Sequence, residues 1–255
     1  MSTKNVTQSI QLIQWYYHFL LLGKFLEVVM QHNDLSSYAQ KISISTGLQS
    51  NFTLNEKKIK SLLGSIYKHA DKKNFYGYLV EISAFKGMYS VMRELIEESP
   101  AFTAFLERIL KDQYFMFDQL MRLLRNILTH SSSSQVIIQK EFTDKQVEFL
   151  RSKKYKVIEF DFLYSRFVSQ WKWAADYGFS LRVDLNRLDD GVSLFDVVSV
   201  HHLYLLAELC YNLVEIFKKT VIEKDVKSKN SGLKSRQLVS KTLWKTSWNQ
   251  RRKRK

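Results

Sequence analysis

The sequence predicts a mainly α-helical protein: an antiparallel helical bundle with a small β-containing insertion and a basic C-terminal tail. The 255 residues include one proline and eight glycines, so long helices can run uninterrupted. Hydrophobic residues make up 45% of the chain, which is enough for a packed core and excludes wholesale disorder. We expect a helical domain over residues 1–222, a β-containing region inserted at about 131–199, and a tail over 223–255.

Four helices are predicted in the first half of the chain. Apolar residues at the helical period mark segments at about 8–31, 55–70, 75–98 and 101–130. Pro100 is expected to close the third of them. The polar, serine-rich segment 33–55 is expected to be a loop with one short turn. Because the first helix is apolar on most faces, it is predicted to be central in the bundle or shared with a partner subunit.

The pattern changes after residue 130. Partial alternation of apolar and polar residues predicts short strands, in a small antiparallel sheet or hairpin, within segments 136–142, 156–163 and 179–188. Between these strands, helices are predicted at 144–151 and 165–177. The helical period returns from residue 200 to about 221, which predicts a closing helix that packs back onto the first four.

The basic excess is concentrated in the C-terminal tail. The chain has 39 Lys and Arg against 25 Asp and Glu, a net charge of +14. Residues 218–255 hold 14 basic and 2 acidic residues, and therefore +12 of that charge. Such a tail suits the phosphate backbone of a nucleic acid, while a solvated tail and contact with an anionic membrane surface are the alternatives. The tail residues predicted to bind RNA are Lys241, Trp244, Lys245, Trp248, Arg251 and Arg252.

Several classes of protein are excluded or disfavoured by what the sequence lacks. The single cysteine, Cys210, cannot form an intramolecular disulfide framework, and its helical surroundings predict a core position. No segment reads as a membrane span or a signal peptide, so a cytoplasmic protein without membrane insertion is expected. No glycine-rich phosphate loop is present, which argues against a kinase or a P-loop hydrolase.

Metal and cofactor sites are not expected. His201 and His202 have no cysteine or carboxylate at a spacing that would complete a metal site, so a helix start is the simpler interpretation. The carboxylates in the predicted strand regions alternate as a solvated face would, although they could hold magnesium in a metal-dependent nuclease; they are Glu159, Asp161, Asp184, Asp189 and Asp190. No cofactor is therefore predicted.

One polar stripe could carry chemistry. On the fourth helix, Asp118, Arg122, Asn126 and His130 follow one another at a spacing of four residues, and Arg125 lies beside them. The helix thus presents two guanidinium groups, an amide and an imidazole on one side. Arg122 has two open interpretations, contact with RNA or an ion pair with Asp118. For Arg125 and His130 the alternative is a surface helix end, where cations complement the helix dipole.

This stripe resembles the signature of the HEPN superfamily, the higher eukaryotes and prokaryotes nucleotide-binding domains. Ribonucleases of that superfamily carry an arginine, often followed by asparagine, and then a histidine four to six residues beyond the arginine. The matching residues here are Arg125, Asn126 and His130. The order of several helices, a motif late in one of them, an insertion and a closing helix is similar too. The resemblance covers about residues 8–219 as architecture and six residues as motif.

The resemblance implies a metal-independent endoribonuclease in which the ribose 2′-hydroxyl attacks the adjacent phosphate. His130 is then the general acid or base, because imidazole transfers protons near neutral pH. Arg125 stabilises the charge that grows on the phosphorane oxygens, and Asn126 orients the histidine or a phosphate oxygen. Since HEPN ribonucleases pair two motifs across an interface, a homodimer is expected, with the apolar first helix contributing to it.

The sequence therefore predicts two alternative functions. The first is an RNA-cleaving toxin or antiphage abortive-infection effector, whose biological role follows from the resemblance alone and which could have an antitoxin or another regulatory partner. The alternative is a non-catalytic helical module that binds RNA, a nucleotide or a partner protein through the same cleft. A third, weaker interpretation is a structural interaction protein that the tail only localises.

Overall fold

The computed structural model describes residues 3–31, 42–45, 51–54, 70–131, 136–163 and 178–222. Of the described residues, 78% are helical and a small antiparallel sheet accompanies them, so the prediction of a mainly α fold is confirmed. The chain separates into two compact units, Met1–Tyr211 and Asn212–Lys255. The packing described below is that within the first unit.

Seven α-helices and four strands make up the described part of the chain. Those of the first half are α1 (Thr3–Gln31), β1 (Ile42–Ser45), β2 (Asn51–Leu54), α2 (Ala70–Glu98), α3 (Pro100–Leu110) and α4 (Tyr114–His130). Those of the second half are α5 (Lys140–Ser152), β3 (Val157–Leu163), β4 (Gly178–Asp184), α6 (Leu194–Val197) and α7 (Val200–Phe217). Residues Lys218–Ile222 continue α7 as a π-helical turn.

Helices α1 and α2 pack closely and run antiparallel. A Cβ atom at Gly23 would collide with the side chain of Val80, and one at Gly87 would collide with the ring of Tyr16. The two glycines therefore allow the helix backbones to approach each other. Only one side of α1 is buried by this contact, and Trp15 on another side is 63% exposed. The prediction that α1 is central in the bundle is therefore wrong for the part of the helix whose side chains are described.

Helix α2 also packs antiparallel against α4. Lys86 near the middle of α2 contacts the end of α4 at Thr129, and Arg93, two turns later, contacts Asp118 near the start of α4. A buried hydrogen bond ties α2 to α7, since the hydroxyl of Tyr89 donates to the carbonyl oxygen of Leu203 over 2.7 Å.

Two expectations for the first half are wrong. Segment 33–55 contains an antiparallel hairpin rather than only a loop, because Ile42 pairs with Leu54 and Ile44 with Phe52 in the register of β1 and β2. Apolar residues alternate with Ser in β1 and with Asn and Thr in β2, and this alternation favours β structure. The helix predicted at 101–130 is divided by a 3₁₀ turn, Lys111–Gln113, although no glycine or proline marks the break.

The division at Lys111 has a clear local geometry. Lys111 has a φ of 51°, and its N–H bonds to the carbonyl oxygen of Glu107 at the end of α3. Pro100 does mark the end of α2, as predicted, and it also starts α3 behind Ser99, whose side chain accepts a hydrogen bond from the N–H of Phe102.

The inserted region is part β and part helix. Strands β3 and β4 pair antiparallel from Val157–Asp184 to Leu163–Gly178, which confirms the strands predicted at 156–163 and, in their first part, at 179–188. Helix α5 confirms the helix predicted at 144–151. The strand predicted at 136–142 is wrong, since this segment forms a single bridge between Ile137 and Ser193 and then enters α5. Segments 55–69 and 164–177 lie outside the described residues.

No helix among the described residues is long and apolar enough to cross a membrane.

The single thiol offers a test of the described core. Cys210 is fully buried on α7, its sulfur lies 4.0 Å from the sulfur of Met121 on α4, and burial raises its pKa. Because the thiolate is the reactive form, we expect no reaction of the native protein with 5,5′-dithiobis(2-nitrobenzoate) at pH 8. The protein unfolded in guanidinium chloride should release one equivalent of chromophore. Rapid labelling of the native protein would contradict this position of α7 against α4.

Candidate functional site

Helix α4 exposes only a narrow side. Its buried residues are Phe117, Gln119, Leu120, Met121, Leu123, Leu124, Ile127 and Leu128. What remains accessible is the predicted polar stripe, in which Arg122, Arg125 and His130 are exposed and Asn126 is half-buried. The structure therefore brings the three predicted catalytic residues together at the C-terminal end of α4.

One residue of α5, Phe142, contacts two of these side chains. The imidazole of His130 stacks on the Phe142 ring, with 3.6 Å between ring centroids and 6° between ring planes. The amide nitrogen of Asn126 donates to the Phe142 carbonyl oxygen over 3.1 Å. Arg125 in turn donates from its guanidinium to the Asn126 side-chain oxygen over 3.3 Å. We call Arg125, Asn126, His130 and Phe142 the α4–α5 ledge.

The backbone beside His130 is held by other elements. The Lys86 ammonium donates to the carbonyl oxygen of Thr129 over 3.2 Å, which places a cation at the C-terminal end of the α4 dipole. The hydroxyl groups of Ser90 and Thr129 lie 3.4 Å apart. Ser131, just beyond the helix, donates from its hydroxyl to the Ile137 carbonyl oxygen over 3.2 Å. These contacts fix the helix end from which the imidazole projects.

Asp118 pairs with Arg93 of α2 and not with Arg122. Arg93 is only 5% exposed, and its guanidinium contacts Asp118 as well as Glu97, the latter over 2.9 Å. The other Asp118 oxygen accepts from the Gln119 amide over 3.2 Å. The i, i+4 interpretation of Arg122 is therefore wrong. Among the described residues Arg122 has no ion pair, so its guanidinium remains available to a ligand.

The ledge combines groups suited to phosphate chemistry. Stacking on Phe142 covers one face of the imidazole. Neither ring nitrogen forms a hydrogen bond with a described residue. Arg125 uses a single donor on Asn126, and a guanidinium has five N–H groups. A proton-transfer group and an anion-binding group therefore lie at one accessible helix end.

In the described part of the chain the other candidate residues make no hydrogen bond, ion pair or ring contact with the ledge, although Asp189 and Asp190 both contact Lys140 at the start of α5. Glu159 and Asp161 are exposed on β3 between buried Ile158, Phe160 and Phe162, as a solvated strand face requires. His202 lies at the start of α7, where its backbone N–H and ring both contact the Ser199 hydroxyl, so the helix-start interpretation is confirmed. Within the described residues no group of three or more His, Cys, Asp or Glu side chains could hold a metal.

The tail residues predicted to bind RNA lie outside the described residues; they are Lys241, Trp244, Lys245, Trp248, Arg251 and Arg252.

Two residues of the site were not found from the sequence. Phe142 was placed in a predicted strand, and its position under His130 depends on α5 beginning at Lys140. Lys86 lies 43 residues before its partner Thr129, so no local pattern connects the two.

The pairing of Asp118 can be tested by stability. Asp118→Ala removes one partner of a partly buried pair, and we expect a loss of about 2 kcal/mol in the free energy of unfolding. Arg122→Ala, one turn away on the exposed side, should change it by less than about 0.5 kcal/mol. Urea unfolding followed by circular dichroism measures both. Equal losses in the two variants would contradict the assignment of Asp118 to Arg93.

We compared the chain with models of protein families, with curated proteins and with solved structures, and none of the three comparisons returned a match.

Proposed function

We propose that the protein is a metal-independent endoribonuclease of the HEPN type that cleaves RNA through the ribose 2′-hydroxyl. The α4–α5 ledge is the observation that supports this proposal. Within it Phe142 contacts Asn126 and His130 directly, and Arg125 is linked to them only through Asn126. An unconnected surface helix end would not require the three residues of the HEPN-like motif to be linked in this way.

The proposed reaction needs two proton transfers and charge stabilisation. The 2′-hydroxyl loses its proton and attacks the adjacent phosphorus, the bond to the 5′-oxygen breaks, and that oxygen is protonated. The products are a 2′,3′-cyclic phosphate and a free 5′-hydroxyl. His130 performs one of the proton transfers, Arg125 neutralises charge on the phosphorane oxygens, and Asn126 holds the guanidinium in place.

One chain supplies one such histidine, and a second copy would supply the other. Helix α1 supports this homodimer. Leu12, Trp15, Phe19 and Leu22 are exposed at the 3,4 spacing of a helix–helix seam. No charged residue occurs from Asn5 to Gly23. Two copies of this surface can therefore meet without repulsion between like charges.

The biological setting is proposed from the resemblance. An RNA-cleaving HEPN protein of this kind acts in the cytoplasm as a toxin or as an abortive-infection effector against phage, and an antitoxin or another regulatory partner holds it inactive. The basic tail, with its two tryptophans, gathers RNA by phosphate contacts and by stacking on bases.

The second candidate is a non-catalytic module that binds RNA, a nucleotide or a protein at the same surface. One observation favours it: the contacts that Asn126 and His130 make with Phe142 also stabilise the packing of α4 on α5. Such contacts would be useful to the fold without any chemistry. Both candidates bind a ligand at this surface, but only the first cleaves an RNA strand.

The deciding assay is cleavage of a labelled single-stranded RNA in the presence of EDTA. We expect the wild type to leave 2′,3′-cyclic phosphate ends and to leave a DNA copy intact. His130→Ala should lower the rate constant by about 10²–10⁴-fold through loss of proton transfer. Arg125→Ala should lower it by about 10²–10³-fold through loss of transition-state stabilisation.

His201→Ala is the matched control, because His201 is also an exposed histidine but lies on α7, where its ring contact is with His202. It should cleave at the wild-type rate. Equal activity of wild type and His130→Ala would exclude His130 as the catalytic group. RNA binding by the wild type without cleavage would favour the non-catalytic module.

A further inference from the structure

Helix α5 carries alternating aromatic and basic side chains along one line. Phe142, Lys145 and Phe149 lie at positions i, i+3 and i+7, which fall on one side of an α-helix. Phe149 is 44% exposed and Lys145 is exposed. We call these three residues the α5 row. It begins at the α4–α5 ledge and leads to the opposite end of the helix.

The row ends in a strongly basic turn. Between Phe149 and Lys156 the chain has four basic residues and no acidic one. Every residue of this turn is exposed from Arg151 to Lys156. Tyr155 adds a ring that is 36% exposed and packs on Phe115 of α4, with 5.5 Å between centroids. We call Arg151–Lys156 the basic turn.

The backbone of the basic turn is rigidly defined. The N–H of Tyr155 bonds to the Leu150 carbonyl oxygen over 3.0 Å and that of Lys154 to the Arg151 carbonyl oxygen over 2.8 Å, which closes the end of α5. Lys154 has a φ of 65°, a conformation in which glycine is the usual residue. A lysine there has a conformational cost that a glycine would avoid, and it adds a cation to the turn.

The cations of the basic turn are not neutralised by acidic neighbours. Lys153, Lys154 and Lys156 have no ion pair among the described residues, and Arg151 donates to the neutral oxygens of Leu185 and Asn186. The three acidic residues of α5 are Glu141, Asp144 and Glu148. Helical geometry rotates them by about 90–150° from the line of Phe142 and Phe149, but Glu141 and Glu148 stand four residues before and three residues after Lys145 and lie on its side of the helix.

This combination fits a single-stranded nucleic acid. Lysine and arginine bind the phosphates, and exposed aromatic rings stack on unpaired bases of any sequence. Arg122 adds a further exposed guanidinium on α4, one turn before Asn126. A membrane surface would also attract the cations. However, two half-exposed rings, one of them packed on Phe115, leave ring faces for stacking rather than an apolar surface for insertion.

The length of α5 sets the distance between the two ends of the row. Helix α5 ends at Ser152, ten residues after Phe142, which corresponds to about 15 Å along the helix axis. At the stacked spacing of about 3.4 Å, a strand of about five nucleotides covers that distance. A stacked strand of this length therefore reaches from the basic turn to the ledge.

We propose that the α5 row and the basic turn form a binding path for single-stranded RNA, which anchors the strand about five nucleotides from His130. This path is a second RNA-binding surface in addition to the tail. This proposal rests on the proposed function only in placing the cleavage site at His130, because binding along α5 does not require cleavage.

The test is binding of fluorescein-labelled 2′-O-methyl oligouridylates, which lack the attacking hydroxyl, to the full-length chain. Anisotropy titrations at several salt concentrations give the Kd and its salt dependence. The triple variant Lys153→Gln, Lys154→Asn, Lys156→Gln should bind a nonamer at least about tenfold more weakly. Its slope of log Kd against log salt should fall by about 2, because three single-strand phosphate contacts are lost. Phe149→Ala should raise the Kd about tenfold through lost stacking.

The matched control is Lys24→Gln, Arg108→Gln, Lys111→Asn. It removes the same charge from three other exposed cations, and Lys111 has a positive φ like that of Lys154. We expect wild-type affinity.

Equal affinities and salt slopes for the basic-turn variant and the wild type would overturn the proposal, and so would equal losses in variant and control. Loss of binding to phosphatidylserine vesicles with unchanged RNA binding would assign the turn to membranes and overturn it too. If the binding losses appear but wild-type protein does not cleave RNA in EDTA, the path stands and the nuclease proposal fails alone.

Discussion

The antiparallel packing of α4 on α5 is the contact on which the site depends. At one end of this contact Phe142 supports Asn126 and His130, and at the other end Tyr155 packs on Phe115. In the middle, the buried amide of Gln146 donates to the backbone oxygen of Gln119 over 2.7 Å and to its side-chain oxygen over 3.1 Å. If α5 shifted by one turn along α4, all of these contacts would be lost together.

A buried polar chain fixes this register. Arg93 of α2 holds Asp118, Asp118 accepts from Gln119, and Gln119 accepts from Gln146 on α5. The side-chain oxygen of Gln146 is the only buried side-chain nitrogen or oxygen in the described part of the chain without a hydrogen bond. Leaving such an atom unbonded costs about 1–3 kcal/mol. Stability alone therefore does not account for a glutamine at position 146. Its hydrogen bonds to Gln119 instead specify how α5 pairs with α4.

The two ends of α5 differ in the chemistry they offer. The N-terminal end supports an imidazole and a guanidinium on α4, which suits proton transfer and a developing charge on phosphate. The C-terminal end offers four cations and an exposed aromatic ring, which suits binding without reaction. In the account proposed here, a rigid helix of 13 residues separates the group that holds the strand from the group that cleaves it.

Periodicity within one helix was enough to predict the polar stripe of α4. Arg122, Arg125, Asn126 and His130 are accessible because the other sides of that helix are apolar and buried. The residues that complete the site come from elsewhere in the chain, so local patterns could not find them. Asp118 pairs with a residue 25 positions earlier, and the break at Lys111 has no glycine or proline to mark it.

Secondary structure was predicted least well in segments where many polar residues obscure the apolar periodicity. The hairpin of β1 and β2 alternates Ile with Ser, and its serine content resembles that of a loop. Phe142 ends the alternating segment 136–142, whose pattern favours a strand, but it lies in the first turn of α5 and contacts His130. The strands β3 and β4 were predictable because burial alternates residue by residue along them.

The central claim, that the packing of α4 on α5 builds the catalytic site, is tested most directly by comparing two phenylalanines on one helix. Steady-state RNA cleavage would be measured for Phe142→Leu and Phe149→Leu. Loss of the ring under His130 should lower kcat, because the proposed catalytic group is misplaced. Loss of the exposed ring should raise KM with kcat unchanged. A wild-type kcat in Phe142→Leu would contradict the account.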